Sequence, residues 1–462
     1  MFATETYADR RSRLCASLSS GLVLLLGNDE SPMNYTDNTY HFRQDSTWLY
    51  YFGIDHAGLT AVIDLDAGDR TTTIFGNDLT IDDIVWTGPQ PTVAELAERA
   101  GVAHTSPAGA LLDVVRTAMA KGRAIHFLPP YRGEHRLKLA GLLGLAPHEL
   151  ANAASLELAR AIIAMRNHKS DEEVAEIERA VNISIDMHVT AMAMARPGMK
   201  ESDIAAKVTQ IALAGGGGLS FPVIATVHGE TLHNHYHGNT LKSGDLFLLD
   251  SGAETAMHYA GDLTSTFPVD KTFTSRQKDV YQIVLNAHLA AVDAVAPGRP
   301  FREIHLLACR TLADGLKDLG LMKGDLDAAI DAGAHAMFFQ CGLGHMLGLD
   351  VHDMENLGEV WVGYDGVPKS TQFGLKSLRL GRALEPGFVV TVEPGLYFIP
   401  ELMRRWRAEG KFTDFLNYDA IETFADFGGV RIEEDVLVTP TGHRILGKAR
   451  PRTIAEVEAV RA

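Results

Sequence analysis

Four segments in the C-terminal half of the chain break off an apolar, strand-like run at a carboxylate, and such acids cannot be buried at random. Asp250 ends Leu246-Phe247-Leu248-Leu249, and Asp262 lies in Gly261-Asp262-Leu263-Thr264-Ser265-Thr266-Phe267. Glu393 follows Val389-Val390-Thr391-Val392 and precedes Pro394-Gly395, a strand of mostly β-branched residues ended by a turn signal. Glu433 follows Val430-Arg431-Ile432. With a period of two, Arg431 and Glu433 share one face while Val430 and Ile432 turn to the core. The stretch Gly252 to Gly261 is able to reverse the chain, so that an antiparallel hairpin brings Asp250 and Asp262 together. Two buried carboxylates repel unless something positive lies between them. A divalent cation is the simplest such partner.

A fifth candidate is His345, in Cys341-Gly342-Leu343-Gly344-His345-Met346-Leu347-Gly348-Leu349-Asp350-Val351-His352-Asp353. Glycines let this backbone turn tightly around a bulky group. One of the two histidines, His345 and His352, suits a metal and the other a substrate. Alone, an acid at a strand end is commonly a solvated turn or a cap, and a single histidine a satisfied core residue. Four acids and one imidazole in separate strand-end contexts point instead to a shared centre. Oxygen-rich with one nitrogen, the set suits hard or borderline ions such as Mn2+, not a thiolate zinc site.

At 462 residues the chain is long enough for two cores. Residues 1–165 read as an α/β domain. Strands are expected at Leu22–Leu26, Leu59–Asp64, Thr71–Phe75 and Ala124–Leu128, and helices at Thr92–Ala100 and Ala108–Lys121. Their alternation predicts a parallel or mixed sheet. Near Arg166 to Ser170 the pattern changes. Ser170 followed by Glu173 is a capping box opening an amphipathic helix through Val174, Ile177, Val181, Ile185 and His188. From there residues 166–462 read as an α+β domain, with strands at Leu246–Asp250, Asp262–Val269, Phe388–Glu393 and Val430–Thr439. Helices are expected at Arg276–Ala296 and Phe301–Leu319. Gly363 to Gly381 reads as a long loop, a lid or a plain surface excursion.

Lys plus Arg number 42 against 59 Asp plus Glu, a formal charge of −17. That balance excludes nucleic acid as the main partner, because phosphate binding needs a basic face. Three cysteines, Cys15, Cys309 and Cys341, make no disulfide framework, and the expected compartment is the cytoplasm. Neither a signal peptide nor a bilayer-spanning run is expected.

The blocks Leu249-Asp250-Ser251-Gly252, Gly261-Asp262-Leu263-Thr264, Gly344-His345, Gly348-Leu349-Asp350-Val351-His352, Val392-Glu393-Pro394-Gly395 and Arg431-Ile432-Glu433 resemble the signature of the pita-bread dinuclear metallopeptidases. In order and identity they match the branch that holds aminopeptidase P and prolidase. Tyr40-His41-Phe42-Arg43-Gln44-Asp45-Ser46-Thr47-Trp48-Leu49-Tyr50-Tyr51-Phe52-Gly53 is similar to the N-terminal domain of aminopeptidase P.

The resemblance implies a pita-bread catalytic domain and an Xaa-Pro aminopeptidase, cutting between an N-terminal residue and a following proline. Prolidase is the alternative, and a non-peptidase pita-bread protein is the reading from another class. It implies two divalent ions, Mn2+ first, then Co2+ or Zn2+, bridged by a nucleophilic hydroxide. Asp250 and Asp262 would hold one ion, Asp262, His345 and Glu393 the other, and Glu433 would bridge both. Glu393 would also be the general acid/base. His352 would contact the scissile carbonyl and His235 the substrate, with Arg431 beside the ligands and Tyr397 near the proline pocket. A homodimer or homotetramer is expected. His233, His235 and His237 would share a face if they lay on a strand. His233 and His237 otherwise read as solvated loop residues.

Three departures from the family pattern carry expectations. Asp250 and Asp262 are one residue further apart than in many members, which predicts a longer or bulged hairpin tip. Cys341 stands where histidine is frequent and reads as a packing residue. Ser265 stands where arginine is frequent.

Overall fold

Leu22–Leu26 (β1) is apolar throughout and is buried almost completely, as a strand covered on both faces must be. The computed structural model describes residues 1–462. Its N-terminal unit, Met1–Arg166 with Asn356–Gly358, holds β1 in a five-stranded sheet with Thr60–Asp64 (β2), Thr72–Gly76 (β3), His104–Pro107 (β4) and Ile125–His126 (β5). The order is β4-β3-β2-β1-β5. Pairings β1–β2 and β2–β3 are antiparallel, while β3–β4 and β1–β5 are parallel, so the sheet is mixed.

The Tyr40–Gly53 motif holds this unit together. Gln44 is fully buried; its Oε1 accepts from the Asn28 and Asp45 amides at 2.6 and 2.8 Å, and its Nε2 donates to the His56 carbonyl at 2.7 Å. Asp45 caps the helix Ser46–Phe52 by accepting from the Trp48 amide. Gly53 ends that helix at φ 64°, where a Cβ would sit 2.2 Å from the Tyr7 ring.

The second unit, Asn167–Glu355 with Glu359–Ala462, opens on the expected capping box. Ser170 and Glu173 satisfy each other's backbone amides ahead of the helix Asp171–Met194. Val174, Ile177, Val181, Ile185 and His188 all lie on its buried side. Helices Glu201–Ala214, Ser275–Asp293 and Phe301–Asp318 follow. The strands make several small sheets: Gly218–Leu219 (β6) with Ala253–Glu254 (β9), and Ile224–Thr226 (β7), Leu246–Asp250 (β8) and Thr264–Pro268 (β10) in the order β10-β8-β7. Val389–Val392 (β11) joins Glu434–Thr439 (β14) and Gly442–Ile445 (β15), and Gly395–Tyr397 (β12) pairs with Gly429–Arg431 (β13). This is an α+β arrangement.

Two details set up the site. Strand β8 pairs antiparallel with β10, with Asp250 opposite Thr264. The tip between them is longer than a simple turn, because β9 leaves to pair with β6. The expected continuous strand over Val430–Thr439 is broken at Ile432 and Glu433, between β13 and β14. At the break the Glu433 amide donates to the Thr264 carbonyl at 3.2 Å, so this segment docks on β10 and Glu433 reaches the hairpin carboxylates.

Candidate metal centre and active site

Asp250, Asp262, His345, Glu393 and Glu433 all line one cavity of about 220 Å³. Asp250 is the last residue of β8, and Asp262 precedes β10 across the hairpin. Glu393 follows β11, where Pro394 interrupts the ladder before β12. His345 is carried to β11 by a close backbone approach: a Cβ on Gly344 would lie 2.0 Å from the Thr391 carbonyl oxygen. The His345 amide donates to Thr391 Oγ1 at 3.1 Å.

The imidazole of His345 is held by its far nitrogen. Nδ1 lies 3.0 Å from the Met346 carbonyl, which fixes Nδ1 as the donor and leaves a lone pair on Nε2. Nε2 is 3.4 Å from Asp262 Oδ2 and 3.6 Å from Glu393 Oε1. Donor atoms of Asp262, His345 and Glu433 lie within 4.8 Å of one another, all on buried residues.

The charges of this site do not balance within the chain. Burial pushes the Asp250 and Asp262 carboxyls up to about 6, and mutual repulsion adds to the rise at Asp250. Burial, with repulsion from the neighbouring acids, also raises Glu393 and holds Glu433 well above the usual carboxylate range. The cation embedded among them is Arg431, bonded to Asp250, to Thr264 Oγ1 at 2.9 Å and to the Tyr397 hydroxyl at 2.9 Å. Its Nε is 4.0 Å from Glu393 Oε2. One guanidinium faces four carboxylates and a neutral imidazole whose protonation burial disfavours. Two divalent cations would supply the missing charge, and the oxygen-rich donor set fits them.

His352 also lines the cavity, its ring 4.3 Å from that of His345. Its Nδ1 meets Glu355 Oε2 at 2.6 Å, a bond that draws the Glu355 carboxyl down to about 2 and leaves Nε2 as the unengaged nitrogen. His233 and His235 both line the cavity, whereas His237 turns its Nε2 to the Val223 carbonyl at 3.0 Å. No strand runs through residues 233–237; they form a loop, as the alternative reading had it, and His233 is an exposed loop residue that also borders the cavity. Tyr397 is fully buried and does not line the cavity; its hydroxyl is taken up by Arg431. Cys341 lines the wall, with its Sγ 3.9 Å from that hydroxyl. Burial pushes its thiol up to about 12, so it is a neutral packing group.

Several supporting contacts carry no signal in the sequence, although Thr264 itself lies in the Gly261–Thr264 block. Thr264 Oγ1 donates to Glu433 Oε2 at 2.7 Å while accepting from Arg431. Asp435, fully buried, accepts the Asp262 amide at 3.0 Å. Arg450 donates to the Thr264 carbonyl at 2.9 Å and also to Ser265 Oγ and the Glu433 carbonyl, so a distant arginine reaches position 265. Ser377 and Arg379, from the expected 363–381 loop, form part of the cavity wall. Phe221, Leu232 and Val351 give that wall its apolar surface.

Residues 175–440 match the model of metallopeptidase family M24, and residues 7–126 match that of the aminopeptidase P N-terminal domain. The chain is 32% identical to a human protein named Xaa-Pro dipeptidase, over 99% of this chain and 93% of the relative. It is 29% identical to an Escherichia coli protein named Xaa-Pro aminopeptidase, over 99% and 97%. Among solved structures, the aminopeptidase PepP of Pseudomonas aeruginosa superposes with a TM-score of 0.82 at 28% identity, covering 100% of this chain and 99% of that one.

Proposed function

From the premise that the chain belongs to metallopeptidase family M24, we infer that it is a pita-bread Xaa-Pro aminopeptidase, a metallo-exopeptidase that releases an N-terminal residue from a following proline. The observation that carries this reading is the convergence of Asp250, Asp262, His345, Glu393 and Glu433 on one cavity with too little positive charge of its own. These five residues would hold two divalent ions, Mn2+ first by donor hardness. Bound there, the ions supply Lewis-acid activation of water and of the scissile carbonyl.

The residues of the chain do the rest. Glu393 takes a proton from the attacking water and delivers it to the prolyl nitrogen. That nitrogen is a tertiary amide with no N–H, so recognition falls to ring shape, and the apolar wall of Phe221, Leu232 and Val351 offers it. His352, oriented through Nδ1–H by the Glu355 carboxylate, presents Nε2 at the scissile carbonyl, and as the imidazolium it donates to the oxygen that gains charge as that carbonyl is attacked. His235, with His233 beside it, contacts the substrate from the opposite loop. Arg431 keeps Asp250 ionised and oriented. The acidic cavity suits the cationic α-amino group of the peptide.

A second reading, Xaa-Pro dipeptidase, is favoured by the human relative of that name at 32% identity. No helix is long and apolar enough to cross a membrane, and a cytoplasmic homodimer or homotetramer is the proposed setting. The test is an assay of chelator-stripped protein, reconstituted with Mn2+, on Xaa-Pro dipeptides and Xaa-Pro-Yaa tripeptides. Cleavage of tripeptides at the Xaa-Pro bond is expected. Cleavage of dipeptides alone would move the protein to the second reading, and no metal-dependent cleavage of either would sink both.

A further inference from the structure

A second cluster of metal-ligating side chains lies in the interior of the catalytic unit, built from different residues. His305 and Cys309 are one helical turn apart on Phe301–Asp318, and His335 lies on the short 3-10 turn Ala334–Met337. One donor atom from each lies within 4.8 Å of the others. His305 and Cys309 are completely buried and His335 is 3% exposed. Function as described above makes no use of them.

Such a cluster would be unremarkable if its polar atoms were satisfied, but they are not. His305 Nε2 has only the Cys309 sulfur at 3.4 Å, and its Nδ1 has no hydrogen-bond partner. Neither ring nitrogen of His335 makes a hydrogen bond of good geometry, although the Ile330 carbonyl is near enough to favour its protonation slightly. Buried polar groups are nearly always paired, and a neutral imidazole must place one N–H somewhere. Burial pushes His305 down to about 3 and His335 to about 4, so both rings keep a lone pair at neutral pH. The same burial raises the Cys309 thiol. Two imidazoles and one sulfur, with no carboxylate among them, reverse the donor chemistry of the catalytic site.

We propose that His305, Cys309 and His335 form a separate structural site for a thiophilic cation of the Zn2+ class. Cys309 would bind as the thiolate, losing its proton to solvent as the metal enters. Three protein ligands leave a fourth position for water. The hard ions suited to the carboxylate cavity do not compete here, because thiolate and imidazole select softer metals.

The test reads metal ligation and is independent of peptide hydrolysis. Full-length protein is stripped with chelator, reduced, and titrated anaerobically with Co2+, which gives a near-ultraviolet charge-transfer band only when bound to thiolate. The wild type is expected to show the band. Cys309→Ser should abolish it, and Cys341→Ser should keep it, which separates this site from the thiol in the catalytic cavity. Zn2+ content after saturation and gel filtration should fall by one equivalent in Cys309→Ser. Absence of the band in saturated wild type, or its survival in Cys309→Ser, overturns the proposal. If Cys309→Ser does not fold by circular dichroism, His335→Gln carries the test, and an unchanged band with unchanged Zn2+ content there overturns it equally.

Discussion

Glu393 is the most solvent-accessible of the four cavity carboxylates: its side chain is 19% exposed against 12% for Asp250 and 7% for Asp262, and Glu433 is 2% exposed. A group that passes protons between water and a leaving nitrogen has to reach both, and the deeper acids do not share that access. Glu393→Gln keeps the shape and an oxygen donor but removes the proton relay. Turnover at saturating Mn2+ should fall by a factor of about 10² to 10⁴, with the circular dichroism spectrum unchanged. Turnover within a few-fold of wild type would refute the role. The five metal candidates were legible because each interrupts an apolar pattern, and an interruption is visible in a single sequence. The roles of Thr264 and Asp435 were not, because a threonine in a strand, even within the Gly261–Thr264 block, and an acid in Glu433-Glu434-Asp435 do not announce their partners. Only the docking of the Ile432–Glu433 break onto β10 gives them partners. The three histidines could share a face only on a strand, and residues 233–237 form a loop, the setting read for His233 and His237.

At the scale of elements, a buried ion pair helps to anchor the loop that bears His345 and His352. Lys169 Nζ meets Asp353 Oδ2 at 3.0 Å, and both side chains are 1% exposed. The Asp353 amide donates to the Met346 carbonyl at 3.0 Å, so Asp353 closes the loop on itself as well. Lys169→Met would take a buried cationic partner from the Asp353 carboxylate, a loss of up to about 3–5 kcal/mol. Urea denaturation should show that drop, and kcat should fall with it as the two histidines lose their setting. The exposed pair of Arg404 and Glu401 is the control: their side chains are 69% and 59% exposed, and Arg404→Ala should shift stability by no more than about 0.5 kcal/mol. Equal effects at the two positions would show that the buried pair anchors nothing. Capping and periodicity made the helices readable, and the Ser170 box and the helix behind it are the clearest case. Long apolar strands such as β1 were equally plain. Pieces of two or three residues, such as β6, β9 and β12, carry no period, and they exist because tertiary pairing supplies their hydrogen bonds.

For the whole molecule, acid should be the weak side of the stability curve, and buried histidines give the reason. His188 and His288 are fully buried, and burial pushes each down to about 3. In the unfolded chain the same groups titrate near about 6.5. Below that pH the unfolded chain binds protons that the folded one refuses, so stability is lost as pH falls from about 6.5 toward 3. The raised Asp250 and Asp262 carboxyls act in the opposite direction in metal-free protein, because they bind protons in the folded state at a pH where the unfolded chain has released them. A difference between two variants cancels that contribution. His288 suits the comparison, since both of its ring nitrogens lack partners and it lies in the apolar side of Ser275–Asp293, away from the cavity residues. His288→Leu should match or exceed wild-type stability at pH 7.5, because an unpaired buried polar group is removed. Between pH 6.5 and 5 the wild type should lose about 1.6 kcal/mol more than the variant, as the unfolded histidine goes from half to nearly fully protonated. Urea midpoints at the two pH values measure this directly. A gap that does not widen on acidification would mean that His288 takes up its proton in the folded state, and that its burial does not limit acid stability.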